Sequence, residues 1–438
     1  MDRKAFVKLA AASPALANPI YAGCSEGDSS SEESGTVTGT PSLDSQTGFT
    51  FYSSLAEEWY RGGQYFEWTS TTRNNQGRSV NVFYRTFGNP SNPALVILHG
   101  YPTSSYDFRE MIPFLEEDYF VTVLDFPGFG FSDKPQDGYS YMLEDDAKLV
   151  DYFVREVVGL SRFHLLTHDR GGSVGFAFLG NYLTSEEKDY EITYHFISNG
   201  GLFLPLANLY QMQISLLSMR PPELTQERPA QPRRTEGTPQ QLANADIQAF
   251  NDGAGARLYV GKYLLERAAN EYRWLDNLRE SPVPTALIWG LQDTVNPPRI
   301  GNHIWYNYLD KRSVESSYWF LPTAGHYPQR DEPEEMAGIV RSCLEVGVPV
   351  PEDENAFMRT LAQGRTATSP VIHGSLYHRE RLLPRGRYVL TRRVQFLRCP
   401  KERSTRKTRA LHQTRGTLRQ RSKLSVSGLG RQSHTSRP

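Results

Sequence analysis

The chain of 438 residues contains only three cysteines, Cys24, Cys343 and Cys399, spaced far apart. No CxxC pair and no zinc-ligand spacing occurs, so neither a disulfide framework nor a metal site is indicated. No apolar run approaches the uninterrupted length that spans a bilayer. The glycine-rich stretch Gly128-Phe-Gly130-Phe-Ser132 lacks the spacing and the lysine of a phosphate-binding P-loop. The third glycine of a dinucleotide fold is missing as well, so the stretch reads as a turn and no cofactor is expected. Acids are almost absent from residues 365–438, where 19 Lys or Arg face two acids, Glu380 and Glu402, a balance of +17. The formal net charge of −1 therefore conceals an acidic body and a basic tail.

The two ends of the chain read differently from its middle. Residues 1–23 start with Arg3, Lys4 and Lys8, continue through a short run of small apolar residues, and reach Ala22-Gly23-Cys24. They look like a bacterial export signal with a lipoprotein cleavage site, in which Cys24 would be lipidated and anchor the protein to a membrane. Pro14 and Asn18 interrupt the apolar run, and Tyr21 stands where a smaller residue is usual. A disordered leader on a cytoplasmic protein is therefore the competing reading. Residues 25–47, rich in Ser, Gly, Thr and acids, read as a flexible tether, which closes a leader segment at 1–47. Residues 348–438 read as a linker and a disordered basic tail. Its charge would suit nucleic acid or an anionic surface, but composition alone is a weak pointer, and no nucleic-acid partner is expected.

Between these ends, apolar strand-like runs alternate with helical patterns, which implies a mostly parallel sheet covered by helices on both faces. Gln64 to Thr71 and Arg78 to Thr86 predict a hairpin around Asn74-Asn75-Gln-Gly77. Further strands are predicted at Ala94 to Leu98, Tyr119 to Phe126, Phe163 to Leu166, Ile192 to Ser198, Thr285 to Trp289 and Ser317 to Leu321. Helices are predicted over Met142 to Val158, Ser173 to Leu179 and Glu334 to Val346. From residue 204 to 282 the alternation stops. Five prolines crowd residues 220–241, and Ile247 to Leu278 has helical character. This is an inserted helical lid, dividing an α/β core into parts at 48–203 and 283–347.

The chemistry gathers at three predicted strand ends. Phe163 to Leu166 leads into Thr167-His168-Asp169-Arg170-Gly171-Gly172, where a strand must turn into a helix within one residue. Only small neighbours allow the backbone to pass so close to itself, and Thr167, Gly171 and Gly172 supply them. This is a nucleophile elbow with Asp169 at its apex. A carboxylate there can attack carbon and form an alkyl ester on the enzyme. Asp293 and His326 follow the next-to-last and last strands, in the order nucleophile, acid, histidine. His326 would be the base that activates water, and Asp293 would hold its imidazole. The backbone N–H groups of Arg170 and Tyr101 are candidates for stabilising an oxyanion. His99 and His168 flank the site and are expected in structural hydrogen bonds.

With these motifs assembled, residues 48–347 resemble the epoxide hydrolase and haloalkane dehalogenase branch of the α/β hydrolases. The resemblance rests on His99-Gly-Tyr-Pro-Thr-Ser-Ser-Tyr-Asp107, Leu124-Asp-Phe126 with Gly128 to Pro135, Ser198-Asn-Gly-Gly201, Val295-Asn-Pro297 and His326-Tyr-Pro-Gln329. It implies an α/β-hydrolase fold and a two-step hydrolysis of a small molecule. Asp169 attacks an electrophilic carbon, and water activated by His326 releases the product. A haloalkane reading loses its halide clamp, because Tyr101 and Arg170 occupy the positions that usually supply it. The Arg after the nucleophile is similar to haloacetate dehalogenases, but Ser173 stands where those carry a second Arg. Epoxide opening requires a lid tyrosine as acid, and the lid offers Tyr210, Tyr259, Tyr263 and Tyr272. Tyr263, with Arg267 four residues on and Trp274 eleven on, is similar to a stretch of lid within that branch and is the first choice. Tyr272 and Tyr210 are the others carried forward. Epoxide hydrolysis is expected, with haloalkane or haloacid dehalogenation second and a catalytically silent binding protein third.

Overall fold

The computed structural model describes residues 35–345, apart from 187, 210 and 219–232. Residues 1–34 of the leader with Cys24, the candidate Tyr210 and the basic tail lie outside the described residues. Among the described residues, eight strands form the main sheet: β1 Gln64–Thr69, β2 Ser79–Phe87, β3 Ala94–Leu98, β4 Phe120–Leu124, β5 Arg162–His168, β6 Glu191–Ser198, β7 Thr285–Gly290 and β8 Ser316–Leu321. Their order across the sheet is β8-β7-β6-β5-β3-β4-β2-β1. Strands β3 to β8 are parallel. The expected hairpin β1–β2 adds an antiparallel edge through β2 against β4.

The helices are α1 Ser54–Arg61, α2 Leu143–Tyr152, α3 Arg170–Thr184, α4 Gln211–Ser218, α5 Pro239–Ala249, α6 Gly253–Val260, α7 Tyr263–Glu280, α8 Pro298–Ile304, α9 Pro328–Asp331 and α10 Pro333–Glu345. All five residues of β3 are buried, because helices cover both faces of the sheet. Val96 and Leu98 pack in one core with Leu149 of α2, Phe178 of α3 and Trp274 of α7. Leu95 and Ile97 face the other core, with Trp59 of α1 and Met336 of α10. The result is a layered α/β fold with a mostly parallel sheet.

Three stretches differ from the sequence reading. Helix α3 is longer than the expected Ser173 to Leu179, because its glycines lower helix propensity while burial on the sheet overrides it. The lid is not one continuous helix: Asn251, at φ +51°, interrupts it, and α5, α6 and α7 follow one another around the break. The chain is also paired well before Gly48. Val37–Thr38 bridges Glu236–Gly237, and Ser42–Leu43 pairs with Thr50–Phe51. Arg233, from the far side of the lid, lies over the rings of Phe49 and Tyr52. A polar segment becomes ordered here because its partners come from almost 200 residues away, which local composition does not register.

Candidate active site

The elbow is built as the small residues require. Strand β5 ends at His168, Asp169 takes φ +46° and ψ −111°, and α3 begins at Arg170. A Cβ added at Gly171 would fall 2.3 Å from the carbonyl oxygen of Leu98, and one at Gly100 would fall 2.7 Å from the Asp169 Cβ. Backbones and side chains therefore meet at distances that only glycine permits. The turn Gly128 to Ser132, read as such, wraps around Asp125, whose carboxylate accepts the N–H groups of Ser105 and Phe131 at 2.8 Å each.

Asp169, Asp293 and His326 converge at the carboxyl edge of β5, β7 and β8. His326 Nδ1 lies 2.9 Å from Asp293 Oδ2, while His326 Nε2 lies 3.8 Å from Asp169 Oδ2. The Asp293 carboxylate is fully engaged. Its Oδ1 accepts the N–H groups of Val295 and Asn296 at 2.7 and 2.8 Å, and its Oδ2 accepts the Asn199 amide at 2.7 Å. Burial alone would lower the His326 imidazole, but the charge and hydrogen bond of Asp293, with Asp169 behind them, raise it to about 9. Burial works the other way on Asp169, and it is outweighed by His326, by Arg267 and by the Tyr101 N–H. The Asp169 carboxyl accordingly sits below the usual carboxylate range.

Each oxygen of Asp169 has its own donor. The Tyr101 N–H, one of the two groups named as oxyanion candidates, donates to Oδ1 at 2.9 Å. Asn296 Nδ2 donates to Oδ2 at 2.9 Å and also to the carbonyl of Asn199 at 2.8 Å. The Arg170 N–H adjoins Asp169 as the first of α3, whereas the Arg170 side chain is fully buried and bonded to Asp146 of α2. Its partner is thus a carboxylate of the core helix, not one of the lid. Burial pushes the Asp146 carboxyl up, to about 7, against the opposing pull of Arg170. The guanidinium is enclosed by the rings of Phe126, Phe129 and Tyr263, with centroids at 5.3, 5.1 and 5.5 Å.

The two flanking histidines are structural. His99 accepts the Phe126 N–H at 3.0 Å and faces the Gly100 carbonyl, and burial lowers it to about 3. His168 lies 2.7 Å from the carbonyl oxygen of His326, which fixes the loop carrying that residue, and burial lowers it to about 4.

Of the lid tyrosines, Tyr263 is buried with its ring 5.5 Å from that of Tyr101, and its charged form would feel Asp169. Burial raises its hydroxyl pKa, so it stays protonated. Tyr272 does not join the site: it is 61% exposed and packs against Phe203. Nine residues along α7 is about two and a half turns, so Tyr272 emerges opposite Tyr263. Tyr259 is half-buried beside the apolar core. Three residues of the site escaped the sequence reading in any role: Asn199, Asn296 and Arg267. The first two stood inside the motifs Ser198-Asn-Gly-Gly201 and Val295-Asn-Pro297, and Arg267 in the spacing from Tyr263. Asn199 has φ +41°, a conformation Asn tolerates better than most residues. Among the described residues, no group of three His, Cys, Asp or Glu could hold a metal ion.

Residues 93–188 match the alpha/beta hydrolase fold family. The hydrolase LipZ of Mycobacterium tuberculosis is 31% identical over 303 residues, covering 67% of this chain and 99% of LipZ. The mesoderm-specific transcript homolog protein of Homo sapiens is 29% identical over 301 residues, covering 64% of this chain and 85% of its own length. Haloalkane dehalogenase 2 of Mycobacterium tuberculosis is 27% identical over 262 residues, covering 57% and 86%.

Proposed function

As the chain belongs to the α/β hydrolase family, we propose that it hydrolyses a small molecule through an alkyl ester on Asp169, with epoxides as the substrate class. The observation that carries this reading is the pairing around the nucleophile. A serine in that position would need the histidine within hydrogen-bond reach to remove its proton. Here Asp169 is already an anion with both oxygens held, and His326 Nε2 stands back at 3.8 Å. A base at that distance serves a water molecule instead of the nucleophile.

In the first step Asp169 Oδ2 attacks a ring carbon and the carbon–oxygen bond of the epoxide opens. The departing oxygen takes the proton of the Tyr263 hydroxyl, leaving a tyrosinate beside Arg267 and Arg170. In the second step His326 removes a proton from water, and the hydroxide adds to the Asp169 carboxyl carbon. Negative charge then develops on Oδ1, against the Tyr101 N–H. Collapse of this intermediate breaks the ester bond, and the alkoxide takes a proton from His326 as the diol leaves. Asp169, left as a carboxylic acid with the second proton of the water, releases that proton to solvent, and solvent returns one to the Tyr263 tyrosinate.

The His326→Gln variant tests both steps. It removes the base and leaves the attack, so an ester should accumulate. Mass spectrometry of the peptide containing Asp169, after incubation with a panel of epoxides, should find the whole mass of the epoxide added. Adducts formed only from haloalkanoates, at the mass less hydrogen halide, would transfer the reading to dehalogenation. No adduct from either panel in a folded variant would overturn the ester mechanism in favour of a silent hydrolase fold.

A further inference from the structure

Arg267 is 2% exposed, and its Nε donates to Ser173 Oγ at 2.8 Å. Its Nη2 is buried without a hydrogen-bond partner among the described residues, and none of their carboxylates lies within ion-pair distance of it. Its neighbours on α7 behave otherwise: Arg273 pairs with Glu144, and Arg279 pairs with Asp276 at 2.5 Å, both at the surface. Glu266, the adjacent residue, accepts the Leu143 and Glu144 N–H groups at 2.6 and 3.2 Å, and Glu271, one turn along, accepts the Leu204 N–H at 2.9 Å. A buried guanidinium is normally paired, because removing its charge from water is costly. Among the described residues Arg267 Nη2 thus keeps an open donor, with the charges of Asp169 and Glu271 acting on the guanidinium from beyond ion-pair distance.

The position says which anion matters. A Cβ added at Gly201 would lie 2.4 Å from Arg267 Nη1 and 2.8 Å from Asn296 Oδ1, so the guanidinium and the Asn296 amide sit side by side. That amide holds Asp169 Oδ2. The guanidinium carbon lies 4.8 Å from the Tyr263 ring centroid, and its charge helps depress the Asp169 carboxyl. The cation is thus one side chain away from the reacting atoms.

We propose that Arg267 binds an anionic group of the substrate, so that the electrophile delivered to Asp169 is a short carboxylic acid and not its neutral counterpart. The planar fork of Arg suits a carboxylate in two-point contact. Both an epoxy acid and a haloacid present this chemistry. The reactive part of the proposal rests on the ester reading above; the binding part does not.

Calorimetric titration with cyclopropanecarboxylate and cyclopropanecarboxamide tests the binding without any reaction. The acid should bind more tightly to the unaltered protein. Arg267→Met should weaken the acid by on the order of 100-fold, the scale of a charge-assisted contact, and leave the amide unchanged. Arg267→Lys should fall between. Ser173→Ala, which frees the guanidinium from its anchor while keeping its charge, should weaken the acid by about tenfold and carries the test if Arg267→Met fails to fold. Equal binding of acid and amide, or an equal loss of both in Arg267→Met or Ser173→Ala, would overturn the proposal. In turnover, Arg267→Met should raise KM for glycidate far more than KM for glycidamide, whatever common change in kcat follows from its charge beside Asp169. An adduct of glycidate on His326→Gln adds its whole mass, whereas 2-chloropropionate adds its mass less hydrogen chloride, which separates the two acids. Acid-selective binding without any adduct would sink the ester reading alone. Adducts without acid preference would sink the role of Arg267 alone.

Discussion

At the scale of single residues, Asp169 holds a positive φ that costs a non-glycine residue about 1–3 kcal/mol, and the surrounding contacts impose it. The strain places a carboxylate where two donors can hold it apart from its base. The charge of Asp169 is also one of the reasons His326 is raised to about 9, after the larger contribution of Asp293. In the proposed mechanism an ester on Asp169 would remove that charge and the imidazole pKa would fall, releasing His326 when water must be deprotonated. Asp169→Asn should therefore lower the His326 pKa below its resting value of about 9, and Asp293→Asn should lower it further. Imidazole NMR titration measures both, and an unshifted His326 in Asp169→Asn would end this coupling argument. Because the neutral imidazole is the active form, ester hydrolysis should slow as pH falls through the ester-state pKa. Asn296→Ala removes a hydrogen bond to a charged oxygen, worth about 1.5–3 kcal/mol. It should slow ester formation by roughly 10- to 100-fold, seen in rapid-quench measurements of the adduct. The placement of Asp169, Asp293, His326 and Tyr101 just after strand ends was legible because each lies in a short motif there. Asn199 and Asn296 lay in visible motifs, but their hydrogen bonds reach Asp293 and Asp169, 94 and 127 residues away. No local pattern specifies such a partner.

At the scale of elements, the strand-to-helix junction depends on close backbone contact. Gly171→Ala would thrust a methyl group toward the Leu98 carbonyl, 2.3 Å away, and a backbone atom there has little room to retreat. It should cost about 1–3 kcal/mol, the scale of overpacking, and reduce ester formation as well, because the nucleophile moves with the turn. Denaturant unfolding and adduct yield should fall together. The lid element α5 is held differently. Thr238 accepts the Gln241 N–H at 3.2 Å and the Gln241 side chain returns a contact to the Thr238 N–H, a reciprocal cap. Thr238→Ala should lose about 1 kcal/mol of stability and leave the reaction unchanged, since nothing in the cap touches Asp169. The buried strands were legible as continuous apolar runs. The extent of α3 was not, because glycines needed for packing weaken the helical signal. The phase of α7 decided between Tyr263 and Tyr272, and helical periodicity alone cannot say which stripe faces the site.

At the scale of the whole molecule, the core, lid and N-terminal segment are joined by contacts between distant stretches. Asp246 of α5 accepts the N–H groups of Tyr52 and Ser53 at 2.6 and 2.7 Å, tying lid to core across more than 190 residues. The eight-stranded sheet and the helices α1 to α10 lie within residues 54–345, so the α/β architecture is accounted for without the basic tail. A chain ending at residue 364 should therefore keep its solubility and its rate of ester formation. A loss of either would make the tail part of the working enzyme. Among the described residues no helix is long and apolar enough to cross a membrane. Local pattern determined the layered α/β plan and the order of Asp169, Asp293 and His326, because buried strands need apolar runs and sharp turns need small residues. Tertiary structure alone decided that Asn296 holds Asp169, that Arg170 serves Asp146, and that Arg267 Nη2 has no hydrogen-bond partner among the described residues. Those outcomes depend on where distant side chains meet and on how deeply the charges are buried when they do.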